Sequence, residues 1–231
     1  MRLPLLTLTL FALAATAEES GSAGAYLSNV TAEMRKQWPG NRVVNVVIHG
    51  HSVPAGYFKT PEVRSLEAYP NLVRMELAHR YPNAVVNVIV TAKGGENSVQ
   101  GAGRFDTDVL DHRPDIVMID YSLNDRRIGL DAARDAWSGM IRKAQTRGIK
   151  VILLTPTPDQ AAHSGDPADP LEQHAVQVRR LAAEFGVGLA DSLAAFQHAT
   201  DAAHLSELMA QGNHPNAAGH KLVAAEILKF F

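Results

Sequence analysis

Short apolar runs alternate with longer amphipathic stretches from residue 43 to the end of the chain. Most of the short runs are continuously apolar, which is typical of strands in a parallel sheet that is covered on both faces. They predict five strands, over Val43–His49, Ala84–Thr91, Ile116–Asp120, Val151–Thr155 and Gly188–Asp191. The amphipathic stretches predict helices over Asn71–Tyr81, Gly103–Leu110, Asp131–Arg147, Pro170–Phe185 and Ala217–Phe230, with a further candidate over Ala25–Gln37.

Five strands with helices between them predict an α/β fold, a doubly wound sandwich with right-handed crossovers. The loop Pro156–Asp169 is rich in Pro, Asp and Gly, and we expect it to form an exposed rim. Open parallel sheets bind ligands beyond the carboxyl ends of their strands, so the segments that follow each strand are where chemistry is expected.

The first residues follow a different pattern. Met1 and Arg2 precede an apolar run that ends in the small-x-small sequence Ala15–Ala17. This predicts a secretory signal peptide over residues 1–17, one domain over residues 18–231 and an exported protein, either periplasmic or secreted. The run is shorter than the roughly 20 residues that span a bilayer, so we expect no stable membrane insertion after cleavage. A membrane anchor is the alternative.

Composition narrows the class of protein. The chain has 231 residues, is 46% hydrophobic and 20% charged, and carries a formal net charge of −2. It is too apolar for intrinsic disorder, and it lacks the basic excess that nucleic-acid binding requires. It has no Cys, which excludes disulfide scaffolds, thiol enzymes and Cys-ligated metal sites. Neither a GxGxxG fingerprint nor a P-loop is present, which argues against a flavin or nucleotide binder.

Four residues whose side chains or backbone groups are suited to catalysis lie next to predicted elements. Ser52 follows the first strand, Gly95 the second and Asn124 the third, and His214 precedes the last helix. A serine and a histidine can act as nucleophile and base, and glycine N–H groups and an amide can hold an oxyanion. Each residue alone is also typical of an ordinary turn or a structural position.

As an ordered set, these residues resemble the SGNH (GDSL-type) hydrolase family over about Val43 to Phe231. The matching segments are Gly50–Gly56, Gly95–Ser98, Ser122–Asp125 and Gln211–Asn216. The resemblance implies a three-layer α/β/α, flavodoxin-like sandwich with a five-stranded parallel sheet. It also implies Ser52 as nucleophile, His214 as base, and an oxyanion hole formed by Ser52, Gly95 and Asn124. No cofactor or metal is implied, and the partner is a small-molecule or polysaccharide ester.

Three positions depart from the family pattern. His51 replaces the Asp beside the nucleophile, and Ser122 replaces a Gly. Gln211 stands where the family's catalytic acid precedes the His by three residues, and glutamine carries no charge to stabilise an imidazolium. The group that orients His214 is left open between a backbone carbonyl, which would give a Ser-His dyad, and a distant acid; the acids considered are Asp159, Asp191, Asp201 and Glu207.

Three further side chains are candidates for contacting the substrate: His51, Tyr57 and Arg126. Ordinary packing is the alternative for Tyr57, and a solvated rim position or a salt bridge to Asp125 is the alternative for Arg126. A zinc site is a less favoured alternative; it would be built from His49, His51, His214 and His220.

The resemblance leads us to expect an exported serine esterase that removes short acyl groups, acetyl foremost, from carbohydrate. A non-catalytic carbohydrate-binding or accessory domain is the alternative, and Gln211 is the residue that motivates it. A lipid- or thioester-directed member of the same family is a further alternative.

Overall fold

Five parallel strands form the centre of the molecule in the computed structural model, which describes residues 23–163, 165–201 and 203–231. In chain order they are β1 (Val43–Gly50), β2 (Val85–Val90), β3 (Ile116–Asp120), β4 (Lys150–Leu154) and β5 (Gly188–Ala190). The spatial order is β2-β1-β3-β4-β5, and every neighbouring pair is parallel. The predicted α/β fold is therefore confirmed. The signal peptide predicted over residues 1–17 lies outside the described residues.

Besides a short helical segment over residues 23–26, ten helices are described around the sheet. They are α1 (Ser28–Met34), α2 (Ser52–Ala55), α3 (Tyr69–Arg80), α4 (Ser98–Gly103), α5 (Phe105–Asp108), α6 (Ser122–Asp125), α7 (Leu130–Gln145), α8 (Pro170–Phe185), α9 (Ser192–Ala199) and α10 (Ala217–Leu228). Short 3₁₀ turns cover Leu110–His112 and Leu205–Leu208, and an antiparallel hairpin joins β6 (Met209–Gln211) to β7 (His214–Pro215). None of the described helices is long and apolar enough to cross a bilayer.

The core has one layer on each face of the sheet. Successive strand residues point to opposite faces, so Ile116 and Met118 of β3 enter one cluster while Val117 and Ile119 enter the other. The first cluster includes residues of α1, α3, α9 and α10, and the second includes residues of α5, α7 and α8. This double burial explains why the strands read as continuous apolar runs.

The helix predicted over Gly103–Leu110 is wrong in its bounds. The chain there forms α4, α5 and a 3₁₀ turn, with a break at Arg104, whose φ is −114°. A capping box between Asn97 and Gln100 starts α4 five residues before the predicted helix.

The loop Pro156–Asp169 was expected to be exposed, and this is wrong for its first part. Its first three residues are buried, and most of the others are exposed or partly exposed. The Thr155 hydroxyl just before the loop donates to Asp191 at 2.9 Å and accepts from the Leu193 N–H at 3.0 Å. These bonds keep the start of the loop against the end of β5.

Candidate active site

Ser52 is the first residue of α2 and lies directly beyond the carboxyl end of β1. The backbone packs closely here, because a Cβ on Gly50 would lie 2.6 Å from the carbonyl oxygen of Asp120 on β3 and 2.8 Å from the Pro54 side chain. Ser52 is 7% exposed. An N–H group at the first position of a helix has no carbonyl partner within that helix, so the Ser52 N–H can serve a ligand.

The hairpin β6–β7 brings His214 to this serine. Its Nε2 lies 2.9 Å from the Ser52 Oγ, and its Nδ1 lies 3.3 Å from the carbonyl oxygen of Phe58. A carbonyl only accepts, so Nδ1 carries the proton and Nε2 is free to accept one from Ser52. Burial lowers the pKa of His214, and the Phe58 carbonyl opposes that effect. The neutral form that a general base requires is therefore favoured.

Three of the four carboxylates considered as partners of His214 are paired with other side chains. Asp159 pairs with Arg126 at 2.7 Å, Asp191 with Arg179 at 2.7 Å, and Asp201 with His204 at 2.7 Å. Glu207 has an exposed side chain. Among the alternatives from the sequence, the geometry matches the backbone carbonyl.

Gly95 and Asn124 lie next to each other at the ends of β2 and β3. Gly95 has a φ of +78°, a left-handed conformation that favours glycine. Asn124 is buried in α6, and its Nδ2 donates to the carbonyl of Glu96 at 2.8 Å. The same nitrogen carries a second N–H, which is a further hydrogen-bond donor. The three sequence-predicted donors thus belong to adjoining segments at one edge of the sheet.

The loop that carries Gly95 is anchored by buried charge. Asp125 accepts from the Ser98 N–H at 2.7 Å and from the Trp137 Nε1–H at 2.7 Å. On the other side of the loop, Arg104 donates to Glu96 at 2.9 Å. Burial raises the pKa of Asp125, and the Ser98 and Trp137 donors oppose that shift. From the sequence, Asp125 was considered only as a salt-bridge partner of Arg126, and its contacts with Ser98 and Trp137 were missed.

A model of the GDSL-like lipase/acylhydrolase family matches residues 48–222, a segment that contains Ser52, Gly95, Asn124 and His214. The chain belongs to this family. The predicted SGNH resemblance is thus confirmed, and family membership makes the chain a carboxylic ester hydrolase. A search of curated proteins gave no significant match.

Solved structures with the same fold include two carbohydrate esterases. A two-domain esterase active on acetylated mannans is 22% identical, with a TM-score of 0.71 over 89% of this chain. The chain spans only 52% of that protein. An acetylxylan esterase from Geobacillus stearothermophilus is also 22% identical, with a TM-score of 0.71 over 80% of this chain and 92% of its own. Catalytic mutants of the latter change a Ser, an Asp and a His, the Asp three residues before the His.

His51, the first departure from the family pattern, directly precedes Ser52 and is buried. Its Nδ1 accepts from the Val53 N–H at 3.2 Å, which caps α2, and its Nε2 lies 3.3 Å from the Asp120 Oδ1. The Tyr69 hydroxyl donates to the other Asp120 oxygen at 3.1 Å. His51 is 0% exposed, so the hypothesis that it contacts substrate does not fit this structure. Asp120 and Tyr69 were missed, although a carboxylate ending an apolar strand is a visible signal.

Tyr57 and Arg126 both lie near the site. The Tyr57 ring is 5.9 Å from the His214 ring, and a Cβ on Gly94 would lie 2.9 Å from it. Tyr57 therefore lies between His214 and the loop that carries Gly95. Arg126 is bound by Asp159 rather than by Asp125, and it also donates to the Leu123 carbonyl at 2.8 Å.

The remaining histidines considered for zinc are structural. His49 contacts the Thr91 hydroxyl at 2.8 Å and the Gly101 carbonyl at 3.1 Å, and His220 accepts from the Tyr69 N–H at 3.3 Å. Burial lowers the pKa of each of these two histidines to about 4. The described part of the chain contains no group of three or more potential ligands arranged to hold a metal ion.

Proposed function

We propose that this chain is an exported serine esterase that hydrolyses short acyl esters, acetyl esters foremost, on carbohydrate. The observation that carries the proposal is the 2.9 Å contact between Ser52 Oγ and His214 Nε2 at the sheet edge where Gly95 and Asn124 also lie. A nucleophile, a base and oxyanion donors at one place match the requirements of acyl transfer.

In the first half of the reaction, the Ser52 Oγ attacks the ester carbonyl carbon and its proton passes to the His214 Nε2. The carbonyl oxygen becomes an oxyanion. It accepts hydrogen bonds from the N–H groups of Ser52 and Gly95 and from the Asn124 amide. The C–O bond to the alcohol then breaks, and the alcohol leaves with the proton from His214. An acyl ester on Ser52 remains.

In the second half, a water molecule gives a proton to His214 as its oxygen attacks the acyl carbon. The bond to the Ser52 Oγ breaks, and His214 returns the proton to the serine. During both halves the positive charge of the imidazolium is stabilised by the carbonyl dipole of Phe58. No carboxylate is required for this Ser-His dyad, although a carbonyl stabilises the charge less than a carboxylate does.

The carbohydrate substrate is supported by chemistry and by the neighbours. The solved structures named above are esterases active on acetylated mannans and on acetylxylan. The Tyr57 ring beside the site offers a flat apolar face of the kind that packs against a sugar ring. Export rests on the pattern of residues 1–17 and fits a polysaccharide that lies outside the cell.

The test is hydrolysis of aryl acetate, butyrate and octanoate, followed by acetylated xylan and mannan oligosaccharides. We expect acetate to turn over fastest and Ser52→Ala to abolish turnover. Ser206→Ala is the control, since the Ser206 side chain is exposed in the 3₁₀ turn Leu205–Leu208.

Other outcomes select the alternatives. Preference for octanoate or for an acyl thioester would favour a lipid- or thioester-directed enzyme. Binding of the oligosaccharides without hydrolysis of any ester would overturn the proposal in favour of a carbohydrate-binding domain.

A further inference from the structure

We propose that Gln211 is a positioning residue for His214, because it holds the loop 58–62 so that the Phe58 carbonyl stays against the Nδ1 of that histidine. The inference rests on the proposed Ser52–His214 chemistry and deepens it. It gives a role to the residue that replaces the family's acid, a departure that the proposed dyad leaves unexplained.

The first support is the hydrogen bond that the Gln211 side chain makes. Its Oε1 accepts from the backbone N–H of Thr60 at 2.8 Å. Thr60 lies two residues beyond Phe58, near the tip of the same loop. The residue at the acid position therefore contacts the loop that supplies the carbonyl, and the Nδ1 of His214 is paired with that carbonyl instead.

The second support is the way the loop is closed. The Phe58 N–H donates to the Glu62 carbonyl at 3.0 Å, and the Glu62 N–H donates to the Lys59 carbonyl at 2.7 Å. These bonds close the base of the loop, and the Gln211 bond fixes its tip. With the base and the tip of the loop both held, the Phe58 carbonyl is kept directed at His214.

The third support is that Gln211 and His214 share one hairpin. They are register partners across β6 and β7. A bond from Gln211 to the loop therefore fixes the loop relative to the imidazole itself. The hairpin is tied in turn to the chain after β4, because the Gln160 N–H donates to the Gly212 carbonyl at 2.7 Å.

Glutamine suits this role better than the family's aspartate. Its side chain is one methylene longer, which matches the reach to Thr60, and its amide oxygen accepts without adding charge. Gln211 and Thr60 are both exposed, so a net hydrogen bond of ordinary strength is expected. The Arg64 guanidinium lies 3.6 Å from the centre of the Phe58 ring and also holds the loop. Removing the Gln211 bond should therefore disorder the loop only partly.

The test compares Gln211→Met, which has a similar length and no strong acceptor, with Gln211→Glu, which keeps an oxygen at the same reach. Gln173→Met, at an exposed position of α8, is the matched control. The readouts are kcat and KM for aryl acetate, the NMR titration of His214, and the hydrogen exchange rate of the Thr60 amide.

For Gln211→Met we expect kcat to fall about five-fold with KM unchanged, as for the loss of one net hydrogen bond. His214 should titrate at lower pH, because its carbonyl partner becomes disordered, and the Thr60 amide should exchange faster. Gln211→Glu should keep kcat within about two-fold, since the acceptor is retained. Its His214 should titrate no lower than in the wild type.

The inference would be overturned if Gln211→Met kept the wild-type kcat, the wild-type His214 titration and the wild-type exchange rate of the Thr60 amide. It would also be overturned if Gln211→Glu lost as much kcat as Gln211→Met. Failure of the proposed function would look different. In that case Ser52→Ala would match the wild type on every ester. The Thr60 exchange and the His214 titration would still decide whether Gln211 holds the loop, because neither requires turnover.

Discussion

The two halves of the candidate site are held in different ways. On the nucleophile side, buried side chains do the positioning: His51 directly precedes Ser52 and contacts Asp120, and Asp125 anchors the loop after Gly95. On the base side, His214 is oriented by a main-chain carbonyl from the partly exposed loop 58–62.

This contrast predicts different responses to substitution. A buried polar group that loses its partner pays the full cost of desolvation, so changes on the nucleophile side should reduce both stability and rate. A carbonyl on a surface loop can shift with little cost to the fold. Changes on the base side should therefore reduce the rate and alter its pH dependence while stability is kept.

Among the residues that hold the site in place, the largest effect is expected for Asp125→Ala. It leaves the buried N–H groups of Ser98 and Trp137 without an acceptor, which costs about 3 kcal/mol of unfolding free energy. Because the loop after Gly95 loses its anchor, kcat/KM should fall on the order of 100-fold. Urea unfolding and ester hydrolysis check both. Asp135→Ala, at an exposed position of α7, is the control, and an equally small effect of the two variants would contradict the anchoring role.

A smaller effect is expected for His51→Ala, which removes the cap of α2. The Val53 N–H loses its acceptor, so stability should fall by about 1–2 kcal/mol and kcat about ten-fold. His51→Asn should recover most of both losses, because asparagine is a good cap and remains neutral beside Asp120. The role of His51 as a cap would be disproved by an asparagine variant as impaired as the alanine variant.

The pH dependence of kcat/KM tests the base side. His214 must be neutral to accept a proton, and burial lowers its pKa from 6.5, so activity should fall only as the pH drops below 6.5. Gln211→Asp places a carboxylate near this histidine. It should move the low-pH decrease in kcat/KM to higher pH by about one unit. A wild-type limb at pH 7 or above would indicate a carboxylate partner and contradict the carbonyl assignment.

The smallest effect concerns stability near neutral pH. The folded pKa of His49 is about 4, whereas an unfolded histidine titrates near 6.5, so as the pH falls the unfolded chain takes up the proton first. The contribution of His49 to stability is retained above pH 6.5 and is lost as the pH falls towards 4. Between pH 7 and pH 6, His49 should lower the unfolding free energy by about 0.7 kcal/mol. His49→Gln should show a correspondingly smaller decrease in urea titrations at the two pH values. If the unfolding free energy of His49→Gln fell as much as that of the wild type between the two pH values, His49 would be excluded as a source of the pH dependence.

The strands were predictable because both faces of the sheet are covered, which makes β1 and β3 continuously apolar. The four-residue helices α2 and α6 were not predicted, since one turn of helix shows no periodicity. The helix α9 was also missed, although Asp191 is a recognisable cap for it.

In the candidate site, the sequence indicated residues whose chemistry resides in the side chain, and the structure brings two of them, Ser52 and His214, together. The carbonyl of Phe58 has no sequence signal, because every residue carries a backbone oxygen. The neighbourhood of His51 and Asp120 depends on the register of β1 and β3, in which Gly50 pairs with Asp120. That register is set by packing across the sheet and not by either segment alone.

Labelling with a fluorophosphonate tests the central claim most directly, since it needs no knowledge of the natural ester. Attack by the Ser52 Oγ forms an O–P bond, expels fluoride and transfers the serine proton to His214. We predict one label per chain, mapped to Ser52 by mass spectrometry, and a labelling rate that falls on the order of 10³-fold in His214→Ala. A label on another residue, or equally fast labelling of the His214→Ala variant, would contradict the account.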